Sequence, residues 1–145
     1  MKGEDCFMTK RMRPAVMVYG VLLMIAAACI LYYRLVGAQQ TMIYGDYTLY
    51  RLNLCCMYPL LYGSLAALIA ELLQRAGILR LPHKAKGSCL AIAVLLSAVY
   101  AIVVGLNMAG AAVLARYALW LSTWPQIFLV PGFLVGLAAH KNAPA

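Results

Sequence analysis

Long stretches without a charged side chain constrain this chain more than any other feature. They are the 20 residues between Arg13 and Arg34, the 29 between Lys86 and Arg116, and the 24 between Arg116 and Lys141. A fourth stretch, residues 52–73, is interrupted only by Glu71. A helix needs about 20 mostly apolar residues to cross a bilayer, so each stretch is long enough to span.

Composition favours the same conclusion, because 66% of the chain is hydrophobic and only 11% is charged. Soluble domains are about half apolar and about a quarter charged. A soluble domain of this length could not bury so much apolar surface, so lipid is the expected solvent. The apolar runs are continuous rather than alternating, which favours helices over a barrel. We predict an all-α polytopic integral membrane protein, a compact bundle of four transmembrane helices. The spans are about residues 15–36, 52–73, 89–109 and 117–139, between a basic N-terminal segment (1–14) and a short tail (140–145).

The basic residues predict how the chain is oriented. Its formal net charge is +8, which by itself is also typical of nucleic-acid binding. With four spans, nine of the twelve Lys and Arg residues fall on one side and three on the other. This is the positive-inside pattern, so we expect both termini in the cytoplasm, the lipid bilayer as the partner of the basic segments, and no nucleic acid.

The first span also has features of a signal peptide. Small residues at 36–38 ("VGA") resemble a cleavage site, and basic residues 10–13 resemble an n-region. The apolar run 15–31 exceeds the usual h-region of roughly 7–15 residues. We therefore expect the span to be retained, with cleavage as the alternative.

Tyrosines at helical spacing surround the start of the second span, in "MIYGDYTLYRLNLCCMYPLLYG" (42–63). Asp46 is a candidate N-cap there, so the helix should begin near Tyr47. An aromatic belt at the external membrane boundary is the first interpretation. An aromatic vestibule that binds a cation or a sugar is the alternative. Catalysis by Asp46 is not expected, because no second carboxylate lies near it.

Glu71 is the one acidic residue inside a span, which makes it a functional hypothesis by default. Arg75 follows four residues later, in the favoured order for an intrahelical ion pair, and Gly77 is a candidate helix stop. We expect a structural Glu71–Arg75 pair. Ion coupling through Glu71, or a contact to Arg80 or another protein, are the alternatives.

Small residues recur every four positions in three of the spans. In the second span they are Gly63 and Ala67, and Pro59 and Glu71 continue the same spacing on either side. The third span has Ser97, Ala101, Gly105 and Ala109, and the fourth has Gly132 and Gly136. Such lines let membrane helices approach closely. The sequence predicts close packing, but it leaves open whether the contacts lie within one chain or between chains.

The fourth span contains two prolines, Pro125 and Pro131, each of which removes a helix hydrogen bond. We expect a kink or a break there. Broken helices lined by polar residues occur at transporter sites, so Gln126 and Asn107, with Glu71, are the candidate residues of an ion or substrate path.

Cysteines and histidines give no catalytic or metal signature. The chain has five cysteines without a CxxC, its two histidines flank lysines, and no hydrolase, phosphate-loop or zinc motif is present. A Cys29–Cys55 disulfide is possible by depth, but free thiols are the usual case. We expect no cofactor and no metal.

These observations favour a non-enzymatic accessory or assembly subunit that acts through helix contacts, in a homo-oligomer or a larger membrane complex. Pumps and membrane enzymes usually need several intramembrane ionisable groups, and this chain has one. A small oligomeric channel or transporter, with a path along span four and Glu71, is the alternative. The expected location is a bacterial cytoplasmic membrane.

Overall fold

The structure, a computed structural model, describes residues 14–45, 47–79, 82–108 and 123–139, with the backbone alone at positions 83, 84, 107 and 108. These residues are almost entirely helical, as predicted. Three helices are long and apolar enough to cross a membrane. The fourth, Pro125–Ala139, is apolar but shorter, and the first six residues of the predicted fourth span lie outside the described residues.

The first helix, α1, runs over Pro14–Tyr44, 31 residues, and extends eight residues beyond the predicted span. It consists of α-helix Pro14–Tyr32, a π-helical turn Tyr33–Gly37 and α-helix Ala38–Tyr44. It ends at Gly45, whose positive φ of 66° suits a left-handed helix end. The predicted span ended at residue 36 because hydropathy indicates which residues contact lipid, not how long a helix is. The polar residues after position 37 are compatible with a helix that continues into water.

The second helix, α2, runs over Thr48–Arg75, 28 residues. Its parts are α-helix Thr48–Leu52, a π-helical turn Asn53–Met57 and α-helix Tyr58–Arg75. The helix begins one residue after the predicted start at Tyr47. The predicted cap, Asp46, lies outside the described residues.

A Schellman motif ends α2 at the predicted stop, Gly77. The Ile78 amide donates to the Leu73 carbonyl at 3.1 Å, and the Gly77 amide donates to the Gln74 carbonyl at 3.1 Å. Gly77 has φ of 74°, which a residue with a side chain rarely adopts.

The third helix, α3, runs over His83–Met108. The fourth, α4, is the α-helix Leu129–Ala139, which a 3-10 turn at Pro125–Phe128 precedes. Trp124, with φ of −117° and ψ of 64°, leaves helical geometry just before Pro125. Pro131 does not interrupt α4, because it lies in the first turn, where a missing amide costs little.

Helix α2 is the centre of the described structure. Helix α1 packs on α2, α4 packs on α2, and α3 packs on α4. Of the apolar stretch of each helix, 33% is buried in α2 but only 6% in α1 and in α3. The buried apolar residues are mostly alanines, whereas large aliphatic side chains point outward. Small residues inside and large ones outside are typical of helices packed in lipid.

The closest approach in the fold is a seam between α2 and α4 made by Gly63, Ala67, Gly132 and Gly136. A Cβ added at Gly132 would lie 2.6 Å from the Gly63 Cα, and one added at Gly136 would lie 2.8 Å from the Ala67 Cα. Neither position has room for a side chain. The two small-residue lines of α2 and α4 therefore pack against each other within one chain.

We predict that Gly132→Val or Gly136→Val lowers the free energy of unfolding by about 1–3 kcal/mol, because the added side chain forces the two backbones apart. Titration with SDS, followed by circular dichroism, measures this. The matched control is Gly20→Val in α1, where an added Cβ meets nothing within 4 Å. Equal stability of the three variants would contradict the seam.

Candidate functional site

Glu71 lies on α2 with a side chain that is 0% exposed. Its Oε1 is 3.5 Å from Nε of Arg75, whose side chain is 31% exposed. The structure therefore places these two residues as the intrahelical pair that their spacing predicts. A buried carboxylate beside a partly exposed guanidinium is typical of an ion pair, in which the positive group neutralises the negative charge of the carboxylate.

One turn beyond Glu71, the buried side chain of Gln74 connects α2 to the end of α4. Its Nε2 donates to the Leu137 carbonyl at 3.0 Å. Leu137 is two residues from Ala139, the last residue of α4, in the final turn, where carbonyls lack partners within the helix. Sequence reasoning missed this residue, although a polar residue in register with Gly63, Ala67 and Ala70 was a usable signal.

Two of the three candidate path residues, Gln126 and Glu71, lie far apart. Gln126 is exposed in the turn before α4, whereas Glu71 lies near the opposite end of the bundle. Taking Gly63 and Gly132 as level, Glu71 and Gln126 are separated by about 20 Å along the helix axes. Asn107 lies in the last turn of α3, and its side chain is outside the described part of the structure.

A cleft of about 370 Å³ opens beside the seam and is lined by residues from all four helices. Its polar side chains include Ser64 and Tyr100. Ser64 donates its hydroxyl back to the Leu60 carbonyl at 2.7 Å, so it is engaged within its own helix. The lining is otherwise dominated by apolar groups, which suits a lipid tail more than a polar substrate.

Tyr100 supplies a hydrogen bond to an α2 carbonyl that Pro59 cannot supply. In a regular helix the Cys55 carbonyl would accept from residue 59, but that residue is Pro59 and has no N–H. The Tyr100 hydroxyl donates to the Cys55 carbonyl at 2.8 Å. Its ring also packs edge-on against Phe128, with centroids 4.4 Å apart. Tyr100 thus connects α3 to both α2 and the turn before α4.

The part of the chain that the structure describes contains neither a disulfide nor a metal-binding cluster. Cys29, Cys55, Cys56 and Cys89 are free thiols, so Cys29 and Cys55 form no disulfide. No three His, Cys, Asp or Glu side chains of the described residues are grouped to hold a metal ion.

The small-residue line of α3 is placed differently from that of α4. Ser97 and Ala101 are exposed, and a Cβ added at Gly105 would meet nothing within 4 Å. Ala109, the fourth member, lies outside the described residues. Ser97 also lines the cleft beside the seam, and Ala93 and Val104 are buried residues of α3.

Comparisons with protein families, with curated proteins and with solved structures found no match for this chain. Functional inference therefore depends on the geometry described above.

We predict that Arg75→Met destabilises the fold more than Glu71→Gln, by about 1–3 kcal/mol. Removing the arginine takes a guanidinium away from a buried carboxylate, whereas glutamine keeps the shape and removes the charge. SDS titration of both variants and of the double variant checks this. The double variant should recover part of the loss. If Glu71→Gln is the more damaging change, the neutralising role of Arg75 is wrong.

Proposed function

We propose that the protein is a non-enzymatic accessory subunit of a larger membrane complex and that it acts through helix contacts. The observation that carries this proposal is the contrast between two small-residue lines. The line of α4 is filled by α2 of the same chain, whereas no described residue lies within 4 Å of a Cβ added at Gly105 in the line of α3. Small residues facing lipid leave a groove that a partner helix fills well.

The polar groups favour the same proposal. Glu71 is neutralised by Arg75 in the same helix, and Gln74 is engaged with α4. Of the residues expected to line a path, Glu71 and Gln126 lie about 20 Å apart along the helix axes. The contacts therefore favour helix association over the alternative of a small oligomeric channel or transporter.

The proposed subunit crosses a bacterial cytoplasmic membrane four times, with both termini in the cytoplasm. Charge asymmetry supports this orientation, and the short connection between α1 and α2 at residues 45–47 supports a helical hairpin whose tip faces outward. The fourth crossing would combine Pro125–Ala139 with residues 117–124.

For topology, we predict that a reporter inserted after Gly45 is active on the external side and one fused after Ala145 is active in the cytoplasm. Alkaline phosphatase and green fluorescent protein fusions at both positions provide the measurement, since each is active on one side only. An external signal from the Ala145 fusion would contradict the four-span arrangement.

For assembly, we predict that a photo-crosslinking residue at Ala101 forms an adduct of one discrete mass with a second polypeptide in intact membranes. The matched control is the same residue at Ala27, which is exposed on α1. The adduct should disappear with Gly105→Leu, which fills the groove, and persist with Gly20→Leu. Adducts at Ala27 but not at Ala101 would contradict the proposed face.

A further inference from the structure

A second cleft, of about 400 Å³, lies where α1 and α2 approach their connection. We call it the hairpin-end cleft. Its lining includes Tyr33, Tyr50, Asn53, Tyr58, Thr123 and Pro125. The rings of Tyr33 and Tyr50 lie with centroids 6.2 Å apart and planes at 48°. Three tyrosines and one amide therefore meet at the junction of α1, α2 and the segment before α4.

Both helices that build the cleft change from α to π geometry at this level. The turns are Tyr33–Gly37 in α1 and Asn53–Met57 in α2. In α1 the Tyr33 ring lies against Gly37, where an added Cβ would be 2.7 Å from Tyr33 Cδ2. Single π-helical turns inside α-helices are frequent at functional sites, and here each turn begins at a residue that lines the cleft.

Asn53 is a buried polar side chain of the cleft lining, only 4% exposed. Its Nδ2 donates to the Leu49 carbonyl at 3.1 Å. This bond fixes the amide orientation, because the reverse orientation would set two oxygens against each other. Oδ1 is buried and has no hydrogen-bond partner among the residues that the structure describes. A buried acceptor left unpaired destabilises the fold, so a ligand that donates to it relieves part of that penalty.

The groups around Oδ1 of Asn53 determine which kind of hydrogen-bond donor a ligand should carry. Faces of tyrosine rings attract cations, so a donor that also carries positive charge satisfies both the rings and the amide. A primary ammonium does so, whereas a quaternary ammonium has no N–H to donate.

Exposed arginines adjoin the two paired tyrosines, since Arg34 follows Tyr33 and Arg51 follows Tyr50. Guanidinium groups bind phosphate well. The depth also fits a headgroup: Asn53 and Arg75 are 22 residues apart on α2, about 33 Å of helix. The hydrocarbon core of a bilayer is about 30 Å thick. With Arg75 at one headgroup layer, the cleft lies at the other.

We propose that the hairpin-end cleft binds an ethanolamine phosphate group, as in a phosphatidylethanolamine headgroup. The primary ammonium lies among Tyr33, Tyr50 and Tyr58 and donates to Asn53 Oδ1. The phosphate lies toward Arg34 and Arg51. This site is separate from the α3 face on which the proposed assembly depends.

Native mass spectrometry of the full-length protein with added lipids tests this proposal. Phosphatidylethanolamine, phosphatidylcholine and phosphatidylglycerol with identical acyl chains are titrated in turn. We expect phosphatidylethanolamine to bind at least fivefold more tightly than phosphatidylcholine, which cannot donate to Asn53. Equal binding of the three lipids, or preferred binding of phosphatidylglycerol, would overturn the proposal.

Variants locate the site. Tyr50→Leu removes a ring and should weaken phosphatidylethanolamine binding about fivefold to tenfold, whereas Tyr50→Phe keeps the ring and should bind within twofold of the original chain. The control is Tyr44→Leu, at a tyrosine that is 78% exposed near the same end of α1. An equal loss in Tyr44→Leu and Tyr50→Leu would overturn the proposal.

Asn53→Leu provides a second readout if Tyr50→Leu does not fold. It should abolish the preference for phosphatidylethanolamine over phosphatidylcholine, and a preference that persists would overturn the role of Asn53. Soluble phosphoethanolamine identifies the source of the group. Displacement of the lipid at millimolar concentration supports a soluble ligand with the same chemistry, and retention of the lipid supports the headgroup itself.

Discussion

The close contact of α2 with α4 at Gly63, Ala67, Gly132 and Gly136 is the constraint on which the rest of the structure depends. In lipid, apolar side chains gain little by leaving their surroundings, so helices associate through close backbone packing. This seam gives α2 a second partner besides α1. It also brings the end of α4 within reach of Gln74 and brings Phe128 to Tyr100 of α3. Each helix is thereby connected, directly or through α4, to α2.

Local features of the sequence predicted much of this arrangement. The uncharged runs predict the helices, Gly77 predicts the end of α2, and the spacing of Glu71 and Arg75 predicts their pairing. Hydropathy missed the last turns of α1, because it follows lipid contact rather than helix length. The π-helical turns were not predicted, although Pro59 indicates that α2 must accommodate an amide-free position. Tyr100 and Gln74 were missed because their partners are distant in sequence, and no local pattern indicates which carbonyls they reach.

The three small-residue lines differ in what they do, and this difference connects structure to proposed function. Two are filled within the chain, and the third, on α3, has no described neighbour at Gly105. The same reasoning distinguishes the polar groups. Glu71 pairs with Arg75 on its own helix and Gln74 donates to α4, whereas the amide of Asn53 donates only within α2 and lines a cleft. The groups that the fold itself does not use lie on α3 and at the hairpin end, where we propose a partner helix and an ethanolamine phosphate group.

The composition of the native particle tests the accessory role most directly. The unmodified protein would be extracted gently from its own membrane, and the intact particle would be weighed by native mass spectrometry. The proposal predicts that this chain is present in fixed ratio with a second polypeptide. A particle that contains this chain alone, in one copy or in several, would contradict the accessory role, and several copies would favour a small channel or transporter.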